Sequence, residues 1–291
     1  MTKIGLIGHS SISRRSVIPA IQKSNDFDLG NIGTRDNRSG YSYQDILDSD
    51  VDSIYVSLPV GLHYEWGKKV LESGKHLLLE KTFTTSLEEG KELFDIAESS
   101  NLNCMEALMY QFHPLQKQIK DLLPRLGKIR CVEAHFGFPH LDNKKDIRYQ
   151  KNLGGGAKLD CLVYPLSFVF DILGYEYDNF QELCFWDDDI DARGYIMLEF
   201  QDSLANISYG FGHSYRNEIL IWGEDSILKV KRVFSRPEIC DEKIEISKNG
   251  VTETFEVKNS DHFLNMLSEF KNPSVDLKKN TLKRLDFMGE F

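Results

Sequence analysis

Two patterns of hydrophobic and polar positions divide the chain near residue 124. Before that point, short apolar runs of strand length alternate with stretches of helical spacing, as at Trp66, Val70 and Leu71. The runs lie at residues 4–7, 29–32, 54–58, 76–79 and 102–105. Because they are apolar almost throughout, they indicate strands covered on both faces. Their alternation with helices predicts a doubly wound parallel sheet over residues 1–123.

Beyond Pro124 and Gly127 the chain breaks into many short segments, several of which alternate polar and apolar residues. They lie at residues 129–138, 180–186, 195–200, 204–210, 218–222, 227–230, 243–246 and 252–257. This alternation is typical of an antiparallel sheet with one open face. An apolar helix at 157–173 interrupts the strands, and a helix near 262–270 and a polar tail follow. We therefore predict an α/β protein whose second domain, over 124–291, is α+β with a large open, mainly antiparallel sheet.

The charge balance limits the kinds of partner that the protein can bind. The chain has a formal net charge of −10, whereas a general binder of nucleic acid or of membrane surfaces needs a basic face. No run of about 18 apolar residues indicates a membrane-spanning helix. We expect no nucleic-acid partner and no membrane partner. A nucleotide ligand remains compatible with this charge, since a helix N-terminus and one or two arginines can hold its phosphates.

The five cysteines are scattered, and no two stand at metal-ligand spacing, so no metal site is expected. Four of them lie in apolar stretches, where packed, reduced thiols are the simplest interpretation. Reduced thiols indicate a cytoplasmic protein. The amino-terminal apolar run is short and has no cleavage site behind it, so we do not expect a signal peptide.

The first apolar run leads into Gly-His-Ser-Ser-Ile-Ser at residues 8–13. A dinucleotide fold places glycine in the tight turn, a small residue beside the pyrophosphate, and another small residue where the helix packs. Gly8, Ser10 and Ser13 occupy these places, with Ser11 and Ile12 between them. An ordinary strand-to-helix turn with a serine cap would show the same residues, but the position after the first strand favours a cofactor site.

The second run ends at Gly33, Thr34 and Arg35. An NAD-preferring site usually carries Asp or Glu at this place, whereas an arginine suits the 2′-phosphate of NADP. Thr34 and Arg35, together with Arg38 and Arg14, can supply hydroxyl and guanidinium groups to that phosphate. NADP(H) is therefore favoured over NAD(H), and an ordinary surface arginine is the alternative.

The third run ends at Ser57, Leu58 and Pro59, and His63 follows shortly after. The carboxyl ends of parallel strands are where a doubly wound fold binds its ligand. Pro59 would stop the strand and shape a loop against the dinucleotide. His63 is interpreted as a structural residue at a helix start rather than as a catalytic base.

The fourth run is followed directly by Glu80 and Lys81. A lysine that leaves a buried strand is partly desolvated and can relay protons. A surface ion pair would explain the same two residues, so the pair is a candidate only in combination with other motifs.

A run of three glycines at 154–156 precedes the apolar helix. Glycines allow the backbone to approach a ligand or another element closely. In the helix, Asp160 and Tyr164 stand four residues apart, which places them on one face, and Pro165 should kink the helix just after Tyr164. On spacing alone, a buried structural Tyr–Asp pair explains these residues equally well.

Five motifs recur in an order that resembles the glucose–fructose oxidoreductase/inositol dehydrogenase/MocA (Gfo/Idh/MocA) family. They are the turn at 8–13, the loop at 57–59 with His63, Glu80-Lys81, Met-Tyr-Gln-Phe-His-Pro at 109–114, and the glycine run with Asp160 and Tyr164. The resemblance spans nearly the whole chain. The family's fold, a Rossmann domain followed by an open antiparallel sheet, agrees with the pattern described above.

Three departures from the family pattern qualify the resemblance. Thr82 follows Lys81 where the family carries proline, Gln111 replaces a common arginine, and Tyr164 stands where a histidine is usual. Tyrosine at that place, with Asp-Ile-Arg-Tyr at 146–149, is similar to the nucleotide-sugar 3-ketoreductases of the family. The identity of the sugar is the inference that these departures leave open.

The resemblance implies that NADPH delivers hydride to C3 of a nucleotide-linked deoxyhexose. Tyr164 would protonate the ketone oxygen, Lys81 would stabilise the developing negative charge, and Asp160 would hold a sugar hydroxyl or orient Tyr164. Arg148 and Tyr149, with Asp160 and Tyr164, would bind the substrate. The implied cofactor contacts are Gly8, Ser10, Ser11, Ile12, Thr34, Arg35, Arg38, Ser57, Leu58, Pro59, His63, Glu80 and Lys81.

Two alternatives stay open. One is a dehydrogenase of a free sugar, a polyol or a dihydrodiol. The other is a non-catalytic ligand-sensing regulator on the same fold, which would predict loss of the lysine or of the acid. We also expect a homo-oligomer, a dimer or a tetramer. The exposed sheet face, with Tyr209, Phe211 and Trp222, would form its interface if these aromatics are not all core.

Overall fold

A computed structural model describes residues 1–143 and 145–291. The chain forms two compact units. The first unit contains Met1–Met109, Asn152–Gly154 and Asp261–Phe291, and the second contains Tyr110–Lys151 and Gly155–Ser260. In the described part of the chain, no helix is long and apolar enough to cross a membrane.

The strands and helices follow one another in a regular order. The strands are β1 (Thr2–Ile7), β2 (Phe27–Gly33), β3 (Ser53–Val56), β4 (His76–Glu80), β5 (Cys104–Ala107), β6 (Ile129–Phe138), β7 (Asn179–Asp187), β8 (Ile190–Phe200), β9 (Ser203–Phe211), β10 (Arg216–Gly223), β11 (Ile227–Lys231), β12 (Ile244–Lys248) and β13 (Val251–Phe255). The α-helices are α1 (Ile18–Lys23), α2 (Tyr43–Leu47), α3 (His63–Glu72), α4 (Leu87–Ser99), α5 (Pro114–Leu122), α6 (Val163–Leu173), α7 (His262–Phe270) and α8 (Val275–Met288).

The first unit is built on a parallel five-stranded sheet in the order β2-β1-β3-β4-β5. All five predicted strands are confirmed. Central strands are buried along their length, with Ile54, Leu77 and Leu79 fully inaccessible, as expected for a sheet covered on both faces. Strand order reverses at β1, which has β2 on one side and β3 on the other. A ligand of a doubly wound sheet binds at such a reversal.

The structure departs from the predicted boundary at 123/124. The amino-terminal part of the first unit ends at Met109. Residues 261–291, which contain α7 and α8, also belong to the first unit. The reason is packing, because Leu285 of α8 is buried in one core cluster with Phe83 and Leu93. Residues that read as a polar tail are therefore a structural part of the first unit.

The second unit contains an eight-stranded sheet in the order β13-β12-β11-β10-β6-β9-β8-β7. All neighbouring pairs are antiparallel except β6 and β9, which run parallel. Every predicted strand segment of this region is confirmed. Along β8 buried and more exposed positions alternate regularly, so one face of the sheet packs inward and the other is open.

The open face carries several large apolar side chains. They are Leu183, Phe185, Tyr195, Met197, Leu204 and Trp222, each between 38% and 65% exposed. Of the three aromatics expected there, only Trp222 is exposed, whereas Tyr209 and Phe211 belong to the core with exposures of 1% and 0%. The expectation was wrong for these two because odd-numbered residues of β9 face the core and even-numbered residues face outward.

Candidate active site

The turn after β1 requires glycine at residue 8. Gly8 has a φ of +96°, and a Cβ at this position would lie 2.8 Å from the carbonyl oxygen of Ser57. Ser57 is buried, and its hydroxyl donates to the carbonyl oxygen of Gly8 at 3.2 Å. The loops after β1 and β3 are thus held together at the strand-order reversal, where a pyrophosphate is expected to lie.

Small serines open the helix that follows. The Ser10 hydroxyl oxygen accepts the backbone N–H of Ser13 at 3.2 Å, as a helix cap does. Ser13 is fully buried, which explains why a small residue is needed there. Helical structure begins at Ser11 and Ile12, so their backbone N–H groups belong to the first turn, where such groups bind phosphate. This arrangement fits a dinucleotide.

The end of β2 places Thr34 and Arg35 at the same edge of the sheet. The backbone N–H of Thr34 donates to the carbonyl oxygen of Tyr41 at 3.0 Å, which closes the loop at residues 34–41. Arg35 is exposed, whereas Arg38 forms an ion pair with Asp36 at 2.5 Å. Arg14 donates to the carbonyl oxygen of His9 at 2.7 Å. Arg35 is therefore the arginine of this edge best suited to a 2′-phosphate.

His63 is fully buried between two loops, as its structural interpretation anticipated. Its Nε2 lies 2.8 Å from the carbonyl oxygen of Leu58, and its Nδ1 lies 2.8 Å from that of Thr82. Burial lowers the pKa of the imidazole. His63 thereby ties the loop around Pro59 to the segment that contains Lys81.

Glu80 and Lys81 lie where β4 ends. The Glu80 carboxylate accepts the Tyr55 hydroxyl at 2.6 Å and the backbone N–H of Lys81 at 3.1 Å. Burial raises the pKa of Glu80 to about 6. Lys81 is half-buried. The buried acid therefore holds the backbone of the lysine in place.

A second acid at this edge was not predicted from the sequence. Glu106 of β5 is buried, and one of its oxygens accepts the backbone N–H of Phe83 at 3.0 Å. The available signal was a charged residue inside a buried strand, between Met105 and Ala107. Its partner, Arg284 of α8, stands 178 residues further along the chain and could not be inferred from local pattern.

The glycine run forms a tight turn before α6. A Cβ at Gly155 would lie 2.7 Å from the backbone nitrogen of Gln150, and one at Gly156, whose φ is +129°, would lie 2.1 Å from the Asp191 carboxylate. The same carboxylate accepts the backbone N–H of Lys158. Gly155 and Gly156 are therefore required by close contacts within the second unit, and Asp191 caps the helical segment that carries Asp160.

That segment is a π-turn, Lys158–Leu162, followed by α6. Pro165 has no N–H to give to the carbonyl of residue 161, so the helix cannot continue in α-helical register there. The irregular turn thus lies before Tyr164. The sequence had instead predicted a kink just after Tyr164.

Asp160 is paired with Arg148 in the second unit. The Arg148 Nε donates to the Asp160 carboxylate at 2.7 Å, and its Nη1 donates to Asp146 at 3.1 Å. These two acids, Asp160 first, raise the pKa of the guanidinium. The predicted substrate residues Arg148 and Asp160 are therefore brought together, and the arginine fixes the carboxylate in place.

Tyr149 lies beside the rings of His140 and Phe211, with centroids 6.3 and 5.8 Å away. Its hydroxyl oxygen accepts the backbone N–H of Leu141 at 2.9 Å. Tyr164 is 6% exposed and lies against the ring of Phe136, with centroids 4.9 Å apart. The candidate acid thus stands in an aromatic environment.

Two family models match the chain. Residues 2–108 match the Gfo/Idh/MocA oxidoreductase family with an NAD-binding Rossmann fold, and residues 117–229 match the C-terminal domain of the same family.

Individual proteins are similar over nearly the full length. A dTDP-3,4-didehydro-2,6-dideoxy-α-D-glucose 3-reductase from Saccharopolyspora spinosa is 31% identical, over 92% of this chain and 86% of the relative. D-xylose 1-dehydrogenase (NADP(+)) 2 from Haloferax volcanii is 28% identical, over 95% and 92%. The crystal structure of KijD10, a 3-ketoreductase from Actinomadura kijaniata in complex with NADP and TDP-benzene, matches with a TM-score of 0.93 at 28% identity, covering 99% of this chain and 96% of that one.

Proposed function

This chain belongs to the Gfo/Idh/MocA family of oxidoreductases, and from that premise we propose that it reduces the 3-keto group of a nucleotide-linked deoxyhexose with NADPH. The observation that carries the proposal is Tyr164, a hydroxyl acid in an aromatic environment, in a chain similar to a dTDP-sugar 3-reductase over 92% of its length. The exposed Arg35 and the Thr34 hydroxyl at the end of β2 support NADPH over NADH.

NADPH, which the turn at Gly8 and the Thr34 and Arg35 side chains would hold, would supply the hydride for the carbonyl carbon. The Tyr164 hydroxyl gives its proton to the ketone oxygen, so that C=O becomes CH–OH, and Tyr164 recovers a proton from solvent. The Lys81 ammonium stabilises the negative charge that develops on oxygen during the step. Asp160, held by Arg148, orients a sugar hydroxyl, and Tyr149 contributes to the substrate surface.

Removal of the acid or of the lysine tests this assignment. We expect Tyr164→Phe and Lys81→Ala each to lower kcat for a dTDP-linked 3-keto-sugar by roughly 100-fold or more, the usual scale of general-acid loss. NADPH oxidation followed at 340 nm gives kcat, and fluorescence titration gives NADPH affinity, which should stay close to wild type in Tyr164→Phe. Tyr195→Phe, at an exposed tyrosine of the open face, is the matched control. Near-normal turnover in both test variants would refute the assignment.

A dehydrogenase of a free sugar is the second candidate, because the similar Haloferax protein is named a D-xylose dehydrogenase. The same assay run with NADP⁺ and free aldoses distinguishes the two. Turnover of free sugars with no turnover of dTDP-linked ketones would favour this candidate.

We further infer that the chain works as a homo-oligomer in the cytoplasm. The apolar side chains on the open face of the second unit support self-association. The five free cysteines support a reducing compartment.

A further inference from the structure

A buried ion pair links two distant parts of the first unit. Glu106 in β5 and Arg284 in α8 are 5% and 2% exposed, and the guanidinium donates directly to one carboxylate oxygen. The Thr281 hydroxyl donates to the same oxygen at 3.0 Å. Burying two charges is costly, and an apolar pair of similar size is often as stable. Stability alone therefore does not explain this pair.

The other oxygen of Glu106 points to the backbone beside Lys81. It accepts the N–H of Phe83 at 3.0 Å, two residues beyond the lysine. The Phe83 ring is fully buried and stacks on Phe94 with centroids 4.7 Å apart. The pair thus anchors the end of a short segment whose first residue is Lys81.

The remaining anchors of this segment come from other elements. Glu80 accepts the N–H of Lys81 at 3.1 Å, and His63 Nδ1 lies 2.8 Å from the carbonyl oxygen of Thr82. Three buried side chains therefore contact the backbone at three successive residues. The Lys81 side chain extends from this backbone, so the position of the backbone segment determines where the Lys81 ammonium lies.

We propose that Glu106 is a positioning residue for the reaction, which sets the backbone of residues 81–83 so that the Lys81 ammonium meets the reacting oxygen. Arg284 pairs with the Glu106 carboxylate and orients it, and Glu106 transmits this order to Phe83. The proposal rests on the proposed role of Lys81.

Two double variants isolate the hydrogen bond to Phe83. In Glu106→Gln/Arg284→Met the amide oxygen can still accept from Phe83, whereas in Glu106→Met/Arg284→Met nothing can. Both lack the buried charges. We expect kcat for the keto-sugar to fall on the order of 10- to 100-fold in the Met/Met variant, the cost of a small misplacement of a reacting group, and to stay within about threefold in the Gln/Met variant. NADPH affinity, measured by fluorescence titration, should differ little between them.

A purely structural pair predicts a different result. It would change melting temperature but give equal kcat in the two double variants well below unfolding, and that result would overturn the proposal. If the Met/Met variant does not fold, Glu106→Asp replaces it, because the shorter side chain keeps the charge but does not reach Phe83. Wild-type kcat in Glu106→Asp would equally overturn the proposal.

A Lys81→Ala background separates this proposal from the assignment of Lys81. If Glu106 acts through the lysine, the kcat difference between the Gln/Met and Met/Met variants disappears there, as coupled sites require. If the difference persists in full, Glu106 does not act through Lys81 and the positioning proposal fails. Lys81→Ala alone with near-wild-type turnover would instead refute the role of the lysine and, with it, any positioning of that lysine.

Discussion

At the scale of single residues, we propose that Arg35 decides the cofactor preference. It stands exposed at the end of β2 while Arg38 is paired with Asp36. We expect Arg35→Ala to raise the KM for NADPH by about 10- to 100-fold, the loss of a charge-assisted hydrogen bond, with little change for NADH. Steady-state kinetics with both cofactors measures this.

Arg38→Ala is the matched control for that experiment. It removes an arginine from the same loop whose guanidinium already has an acid as partner, so its effect on NADPH should be several-fold smaller. An unchanged NADPH preference in Arg35→Ala would remove the reason for assigning the 2′-phosphate to this residue.

The candidate residues themselves could be found from sequence, but their partners could not. Gly8, Lys81, Asp160 and Tyr164 were predicted as site residues because each stands at the end of a recognisable strand or helix pattern, and their roles remain predictions. The contacts of Glu80 could not be predicted from the sequence. Its carboxylate accepts hydrogen bonds from the backbone N–H of Lys81 and from the hydroxyl of Tyr55 on the neighbouring strand. Side-chain direction at a strand end depends on tertiary neighbours, which no local spacing encodes.

At the scale of elements, Asp191 controls the start of the helical segment that carries Asp160. Burial raises the pKa of Asp191 to about 6 from its ordinary value of 3.8. Because the folded state then binds a proton more tightly than the unfolded state, the ionised form costs stability, and this cost grows as pH rises from about 4 to about 6.

Asp191→Asn should therefore become more stable relative to wild type as pH rises through this window. One pKa unit corresponds to about 1.36 kcal/mol, so the gain at pH 7.5 is about 3 kcal/mol at most, and it vanishes near pH 4. Urea unfolding at several pH values measures it. Asp178→Asn is a control outside the capped turn, and a stability difference independent of pH would contradict the account.

Element types were predictable because hydrophobic periodicity survives in each strand. The residues at which an element begins and ends were less predictable, as β8 shows. This strand begins at Ile190, five residues before the predicted start. The acidic run at 187–189 is typical of a loop, but only a tight turn at Asp188, with φ of +52°, separates β7 from β8. The helix α8 was missed altogether, since its charged residues are prominent and its buried arginine reads as exposed.

At the scale of the whole molecule, we propose that the open sheet face is the surface through which the chain self-associates. Leu204 and Trp222 both lie opposite Cys131 in adjacent ladders, so they form one continuous apolar row. We expect Leu204→Arg to shift the protein to a smaller species, measured by sedimentation velocity, because a charge desolvated in an apolar interface is costly.

Val251→Arg is the control for this assembly test, since Val251 is 72% exposed but lies on the edge strand β13. It should leave the sedimentation coefficient unchanged. A wild-type chain that sediments as a monomer would contradict the proposed oligomer directly.

The discontinuity of the first unit has a consequence for how the protein is made. A ribosome synthesises residues 261–291 only after the whole second unit, yet Leu285 and Arg284 complete the core and the buried pair of the first. Until α8 emerges, the nascent first unit exposes apolar surface beside Phe83 and an uncompensated acid at Glu106. The core of the first unit is therefore completed late in translation, and we expect chains that terminate early to present a recognisable defect to the cell's chaperones and proteases.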